Sequence, residues 1–361
     1  MESLAIACVV GARPNFIKAA PLLAEFRRRP RFRPVLIHTG QHFSPEMSGS
    51  FFSDLEIPPP DVNLEAGGGS HARQTAEIML RLEPVLAKSR PDALVVVGDV
   101  NSTVAAALVA AKLGIRIAHV EAGLRSFDRT MPEEINRIVT DAVSDYLFAT
   151  EASGVRNLLA EGVPREKVFL VGNVMIDSLL RFREKARASD VLRRLCLEAG
   201  NYAVATLHRP SNVDDPARLE QLLAMLAELS RHLPVVFPVH PRTRERMGRM
   251  PGHNGRLLTT PPMPYLDFLR LIADARMVLT DSGGIQEETT VLQVPCLTLR
   301  ENTERPVTVE QGTNRLVGTD ASRAFEAALE ALNAPPERKP APKLWDGRAS
   351  ERIADTLEQV L

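Results

Sequence analysis

The sequence predicts an α/β protein made of two doubly wound, parallel-sheet domains. Short runs of β-branched and apolar residues alternate with longer helical patterns, which is the signature of βαβ units. The chain has 361 residues, more than one ordinary hydrophobic core organises, so two domains are expected. Polar residues gather where the apolar runs stop, which is where doubly wound sheets carry their ligands.

The first series opens with a strand over residues 4–10, a helix beginning near Phe16 and a strand over 34–39. A glycine-rich loop at Gly67-Gly68-Gly69 precedes a strand over 93–97. An alanine-rich helix follows Ser102, then a strand over 116–120, a helix from Pro132 and a strand over 146–150. Pro132 suits a first helical turn, where its missing N–H has no intrahelical bond to lose. A second series begins near Val168, with strands at 203–207, 235–239, 256–259, 277–280 and 296–299. Helices at 218–231, 265–273, 284–291 and 322–332 alternate with them. Residues 334–343, rich in proline and charge, read as a surface connection before a last helix at 349–359. The expected division is an N-terminal domain over 1–171, a C-terminal domain over 172–346 and a terminal helix, 347–361, returning to the N-terminal domain.

Composition narrows the function. With 44% hydrophobic and 25% charged residues the chain reads as a soluble globular protein. A net charge of -1 offers no bulk attraction to nucleic acid or to an anionic membrane, so neither is expected as a partner. No apolar stretch approaches the roughly 20 residues that span a bilayer. The opening residues carry Glu2 where a secretory signal would be basic, and Gly11-Ala12-Arg13-Pro14 stops the apolar run early, so no signal is expected. Cys8 and Cys296 lie in apolar, strand-like runs and read as small buried hydrophobes, consistent with a reducing cytoplasmic setting.

Almost every strand end carries an acid, a histidine or an arginine, a pattern that a purely structural sheet does not need. The turn Thr280-Asp281-Ser282-Gly283-Gly284 follows one strand and opens a helix. Its unpaired N–H groups and positive helix end would converge on one point, a natural phosphate site, although a tight βα turn needs no ligand. Glu287 and Glu288 follow one turn later, where they suit either a ribose hydroxyl or the helix dipole. Arg13, after the first strand, could clamp a phosphate, and Lys18 lies one turn further on. His208-Arg209 and His240 end two strands of the second series. Asp99, Glu121 and Glu133 gather in the first series, with Arg137 one turn beyond Glu133; they serve equally as loop caps and dipole partners or as general acids and bases. There is no Asp-x-Asp pair, no Cys/His cluster at metal spacing, no Gly-x-Gly-x-x-Gly and no phosphate-binding Gly-x-x-x-x-Gly-Lys motif. No metal and no cofactor are expected.

These residues, taken in order, closely resemble the non-hydrolysing UDP-N-acetylglucosamine 2-epimerases. The resemblance runs through Gly11-Ala12-Arg13-Pro14 with Lys18, Gly98-Asp99 and His119-Val120-Glu121-Ala122-Gly123-Leu124-Arg125. It continues through Pro132-Glu133-Glu134-Ile135-Asn136-Arg137, His208-Arg209, the stretch from Leu279 to Glu288, and Thr303-Glu304-Arg305-Pro306. It implies two Rossmann-like domains of the glycosyltransferase-B architecture with the ligand cleft between them. It implies catalytic roles for Asp99, Glu121, Glu133 and His208. Arg13, His240, Ser282, Gly283 and Arg305 match residues that hold the diphosphate, with Gly284 in the same turn. Glu288 matches the ribose-binding acid, Phe268 a position whose backbone meets uracil, and Lys18 and Arg137 polar residues of the same cleft. A UDP-sugar substrate, a 2-epimerase activity interconverting UDP-GlcNAc and UDP-ManNAc, and a homodimer follow as expectations.

Three departures stand out. The family often reads His-Arg-x-Glu-Asn where this chain has His208-Arg209-Pro210-Ser211-Asn212, and many members have Glu where it has Val307. After Gln41-His42 comes Phe43-Ser44, without the polar residues with which bacterial relatives bind a second, activating substrate molecule, so such activation is not expected. The stretch Phe127-Asp128-Arg129-Thr130-Met131-Pro132 and the Pro-Ser-Asn loop also resemble epimerases acting on UDP-2,3-diacetamido uronic acids. These form the alternative substrate class, ahead of a UDP-sugar glycosyltransferase.

Overall fold

The structure, a computed structural model, describes residues 3–41, 52–247, 255–335 and 337–361, with the side chain of Arg13 outside that description. The chain forms two compact units, Met1–Arg181 with Lys343–Leu361, and Phe182–Pro342.

The first unit is built on a seven-stranded sheet. Its strands are β1 (Leu4–Val10), β2 (Phe32–His38), β3 (Val62–Asn63), β4 (Ala93–Val97), β5 (Arg116–Val120), β6 (Tyr146–Ala149) and β7 (Val168–Leu170), in the order β3-β2-β1-β4-β5-β6-β7. Every pairing is parallel. Parallel strands are covered on both faces, which is why β4 reads as the unbroken apolar run Ala-Leu-Val-Val-Val and is buried throughout. Ile6, Leu36, Leu94 and Val96 are buried in that sheet, and Ile78, Leu82 and Leu86 of the helix His71–Ser89 face it. The strand order reverses between β1 and β4, so the crevice at their carboxyl ends lies above Gly11 and Gly98.

The second unit repeats the plan with six strands. They are β8 (Ala203–Thr206), β9 (Val235–Pro238), β10 (Leu257–Thr260), β11 (Met277–Thr280), β12 (Cys296–Thr298) and β13 (Asn314–Leu316), in the order β10-β9-β8-β11-β12-β13. All are parallel, and the order reverses between β8 and β11. The core gathers Leu219, Leu222, Leu226, Val235, Phe237, Leu279 and Ala324. His208 follows β8 and Ser282 follows β11, so the two flank this second switch point.

The expected α/β class with two doubly wound sheets is found. The strands expected at 4–10, 93–97 and 116–120 match β1, β4 and β5, and the other expected strands lie within two residues of β2, β6 and β8 to β12. Several features differ, among them the unexpected helices Ala152–Ala160 and Val174–Arg187. The strand at Val168 is the outermost member of the first sheet and does not begin the second series. The helix His71–Ser89 is a further unexpected element; Pro84 interrupts its pattern, yet Ser70 caps it by accepting from Arg73 N. The two-residue strand β3 and three-residue β13 are too short to give a period. Burial pushes the thiols of Cys8 and Cys296 up to about 12 and about 11, as suits inert core residues.

Candidate active site

In the first unit the candidate residues gather at the carboxyl ends of β1, β4 and β5. Lys18 and Glu121 form a buried ion pair. Glu121 ends β5 with φ +73°, a left-handed conformation that a side-chain-bearing residue adopts only under constraint. Gly98 lies directly beneath this pair. A Cβ there would stand 3.0 Å from Glu121 Oε2 and 3.3 Å from Lys18 Nζ, on a backbone with φ +69°, so glycine is required. Asn15 ties the turn after β1 to the sheet: Oδ1 accepts from Gly11 and Ala12, and Nδ2 donates to Val97 O at 2.8 Å. Arg13 begins the helix Arg13–Arg28 immediately after this turn; its side chain lies outside the described part.

Asp99 is held by Arg137, whose Nε and Nη2 donate to Oδ2 at 3.0 and 2.6 Å. The same guanidinium donates through Nη1 to Glu134 Oε2 at 2.6 Å. Glu134 in turn accepts from the backbone of Ser126 and Phe127, fixing the loop before the helix Pro132–Val143. Glu133 is half-buried in the first turn of that helix. The structure thus brings Lys18 to Glu121 and Arg137 to Asp99. The partner role of Glu134 was missed from sequence, because an acid beside Glu133 in a first helical turn reads as a dipole partner.

In the second unit His208 and the phosphate-type turn meet through Asp281. This buried carboxylate accepts from the N–H groups of His208 and Arg209 at 2.9 Å each, from Asn212 Nδ2 at 3.2 Å, and pairs with His208 Nδ1 at 2.7 Å. Burial alone would raise the Asp281 carboxyl, but the His208 ring and the backbone donors outweigh it and hold it at about 2. The rings of His208 and His240 lie 5.7 Å apart, and His240 caps the helix Pro241–Arg246 by accepting from Arg242 N.

Ser282 precedes the helix Gly283–Leu292, and its own N–H donates to Thr280 Oγ1 at 3.0 Å. The amides of Gly283, Gly284 and Ile285 form the first turn, whose N–H groups have no intrahelical acceptor. A Cβ on Gly283 would stand 2.6 Å from both Arg305 Nη1 and Glu304 Oε1, so glycine here admits the arginine to the turn. Arg305 is buried between two carboxylates, Glu304 Oε1 at 2.5 Å and Glu287 Oε1 at 2.7 Å. Glu304 also receives Arg300 Nη2 at 2.7 Å. Glu288 is buried and accepts from Tyr265 Oη at 3.3 Å. Phe268 is half-buried in the helix Tyr265–Ala273, and its N–H donates to Pro264 O. The roles of Asp281 and Glu304 were missed from sequence, since Asp281 meets its partner across 73 positions and Glu304 binds arginines outside any regular element. Of the stretch considered for substrate activation, His42, Phe43 and Ser44 lie outside the described residues.

The arrangement can exchange protons through carboxylates whose orientation is fixed by buried cations, and it can hold an anion at a helix start beside an arginine. A family model described as UDP-N-acetylglucosamine 2-epimerase matches residues 24–358. The UDP-N-acetylglucosamine 2-epimerase of Methanocaldococcus jannaschii is 41% identical over 362 residues, 98% of each chain. The UDP-2,3-diacetamido-2,3-dideoxy-D-glucuronate 2-epimerase of Pseudomonas aeruginosa is 40% identical over 358 residues, 98% of this chain and 99% of that one. A crystal structure of the Methanocaldococcus jannaschii UDP-GlcNAc 2-epimerase in complex with UDP-GlcNAc and UDP matches with a TM-score of 0.91 at 40% identity, over 99% of this chain and 100% of that one. The chain belongs to the UDP-N-acetylglucosamine 2-epimerase family.

Proposed function

We propose that the protein interconverts UDP-N-acetylglucosamine and UDP-N-acetylmannosamine by eliminating UDP and adding it back. The observation that carries this reading is the pairing of Glu121 with Lys18 and of Asp99 with Arg137 at adjacent strand ends. A protein that only held a nucleotide sugar would need the phosphate groups' partners and none of these acids.

The chemistry explains the inventory. No carbonyl is conjugated to C2 of the hexose, so a carboxylate cannot remove the C2 proton unaided. If the C1–O bond breaks in the same or an earlier step, the C2–H electron pair becomes the C1=C2 double bond and UDP departs with the C1–O pair. The product is a 2-acetamidoglucal. UDP oxygen then re-forms the bond to C1 while an acid delivers a proton to the opposite face of C2. Two or more carboxylates are required, because removal and return occur on different faces. Asp99, Glu121 and Glu133 are the candidates. The pyrophosphate gains charge as it leaves, and Arg13, His208, His240, Arg305 and the amides of the Ser282-Gly283-Gly284 turn are assigned to stabilise it. Glu288 is assigned to the ribose and the Phe268 backbone to uracil. Lys18 and Arg137 orient the acids they bind. The resemblance also supports a homodimer, and the apolar setting of Cys8 and Cys296 supports a reducing, cytoplasmic environment.

A second reading rests on the equally similar Pseudomonas aeruginosa relative: the sugar is a 2,3-diacetamido uronate and the same acids act at C2. Incubation of each UDP-sugar with the purified protein in D2O, followed by NMR, tests both. We expect UDP-N-acetylmannosamine to accumulate from the first substrate, with one deuterium at C2. Turnover of the uronate alone moves the substrate to the second reading. Epimerisation with the original C2 hydrogen retained rejects the elimination. Release of free N-acetylmannosamine with UDP would make the protein a hydrolysing epimerase.

A further inference from the structure

The three candidate acids lie on three different segments: the turn after β4, the end of β5 and the helix Pro132–Val143. One side chain joins all three. His119 is completely buried on β5, two residues before Glu121. Its Nε2 lies 2.9 Å from the carbonyl oxygen of Gly98, the residue before Asp99. Its Nδ1 lies 2.6 Å from Oδ1 of Asp141, on the helix that carries Glu133 and Arg137.

A carbonyl oxygen has no proton to give, so Nε2 must donate. The other oxygen of Asp141 accepts from Gly123 N at 3.0 Å and pairs with Arg125 Nη2 at 2.7 Å, a setting that favours an ionised carboxylate. Nδ1 then donates as well. The charged groups linked to the His119 ring are Asp141 on the helix, Arg125 after β5, and Glu161, which binds Arg125 at 2.7 and 2.8 Å; the surrounding elements also carry Glu133, the Lys18–Glu121 pair, and Arg137 with Asp99 and Glu134. Two cations therefore meet two carboxylates, Asp141 buried and Glu161 exposed to solvent. Burial would raise the Asp141 carboxyl, but His119 and Arg125 together hold it below its ordinary value.

We infer that His119 is a doubly protonated imidazolium that fastens the Gly98-Asp99 turn to the helix Pro132–Val143. It acts as a positioning residue, setting the mutual register of Asp99, Glu121 and Glu133. If the Nδ1 proton rested on Asp141, the pair would be neutral and would leave Arg125 facing an uncharged carboxyl group. The effect on turnover rests on the epimerase reading above; the protonation state does not.

The test combines spectroscopy and kinetics on the whole protein with 15N-labelled histidine, the His119 signals being those lost in His119→Gln. Both ring nitrogens of His119 should carry protons in the unaltered protein, each donating to the oxygen it faces. Glutamine can still donate to the Gly98 carbonyl but brings Asp141 no cation. His119→Gln should lower kcat about 100-fold, the scale of a misplaced catalytic group. KM and UDP affinity should stay within about twofold, as for a loss confined to the transition state. Asp141→Asn should lower kcat similarly and return the ring to the neutral pattern. An unprotonated Nδ1 in the unaltered protein overturns the inference, whether or not any variant folds. So does a His119→Gln variant with full kcat, or one whose UDP affinity falls in step with kcat. If neither UDP-sugar exchanges its C2 hydrogen with the unaltered protein, the epimerase reading fails, while the nitrogen signals still decide the imidazolium.

Discussion

Asp281 accepts from two backbone amides, an asparagine and a histidine that all come from the neighbouring loop after β8. It therefore does for His208 what a side chain within the same loop cannot do: it fixes the ring from beneath and leaves Nε2 directed elsewhere. Asp281→Asn keeps the size but brings an N–H towards donors. We expect kcat to fall with UDP binding retained, because UDP has other contacts in the assigned set. The same residue gives a pH signature. Its folded-state value of about 2 lies below that of an unfolded aspartate, so its contribution is fully present above about pH 4 and is lost as pH falls towards 2. The size is roughly 2 kcal/mol. Urea titrations of the two proteins at about pH 5 and at about pH 3 check this: the difference between them should shrink at the lower pH. A difference independent of pH would show that the carboxylate charge does not matter. The motif around Asp281 was legible in the sequence; its partner was not, since 73 residues separate it from His208.

At the scale of an element, the helix Pro132–Val143 organises the first unit's candidate residues. Glu134, Arg137 and Asp141 fall on one buried face at spacings of three and four residues. Helical periodicity explains why they share that face. What each one touches is set elsewhere, at Ser126, Asp99 and His119. Arg137 serves two carboxylates through three nitrogens, and a lysine is a point charge that cannot span both. Arg137→Lys should therefore cost about 1–3 kcal/mol of stability by leaving one buried acceptor unserved. It should also lower kcat through Asp99. Denaturant midpoints and steady-state rates measure the two effects; a variant with unaltered kcat would remove Asp99 from the set that this arginine orients. From sequence Arg137 is a polar neighbour of Glu133 and, by resemblance, a residue of the ligand cleft; its pairing with Asp99 is not legible, because a helix-forming arginine carries no sign of what lies across from it.

At the scale of the molecule, the chain returns to its first unit at the end. Asp177 caps the last helix, Ala349–Val360, accepting from Ala349 N at 3.1 Å and from Ser350 N and Oγ at 2.7 Å. Arg29 pairs with Asp355 at 2.7 Å and Glu358 at 3.1 Å, while Trp345, Ile353 and Leu357 are buried. Burying a large apolar side chain is worth about 1.5–3 kcal/mol, so removing residues 343–361 should cost the first unit about 5 kcal/mol or more. That approaches the whole stability of an ordinary domain. Calorimetry should show the transition of the first unit lost or moved far down in temperature, with the second unit's transition kept. Equal unfolding of the truncated and full-length proteins would show the terminal segment to be dispensable. The return of this helix to the first unit was expected, but the apolar stripe of residues 349–359 states only that it is covered, and not by which residues.

Local regularities were available to sequence reasoning because they depend on residues a few positions apart. β-branched runs favour strands, Gly283 and Gly284 open a helix, Pro132 starts one, and the alternation of the two element types requires parallel sheets. Those regularities also place polar residues at strand ends, which is why Asp99, Glu121, His208 and Ser282 could be singled out. Tertiary structure decided the pairings: Lys18 with Glu121 across 103 positions, Arg137 with Asp99 across 38, and Arg305 with Glu287 beneath the glycine turn. A buried charge is stable only beside its counter-charge, and which side chain arrives there depends on strand order and register.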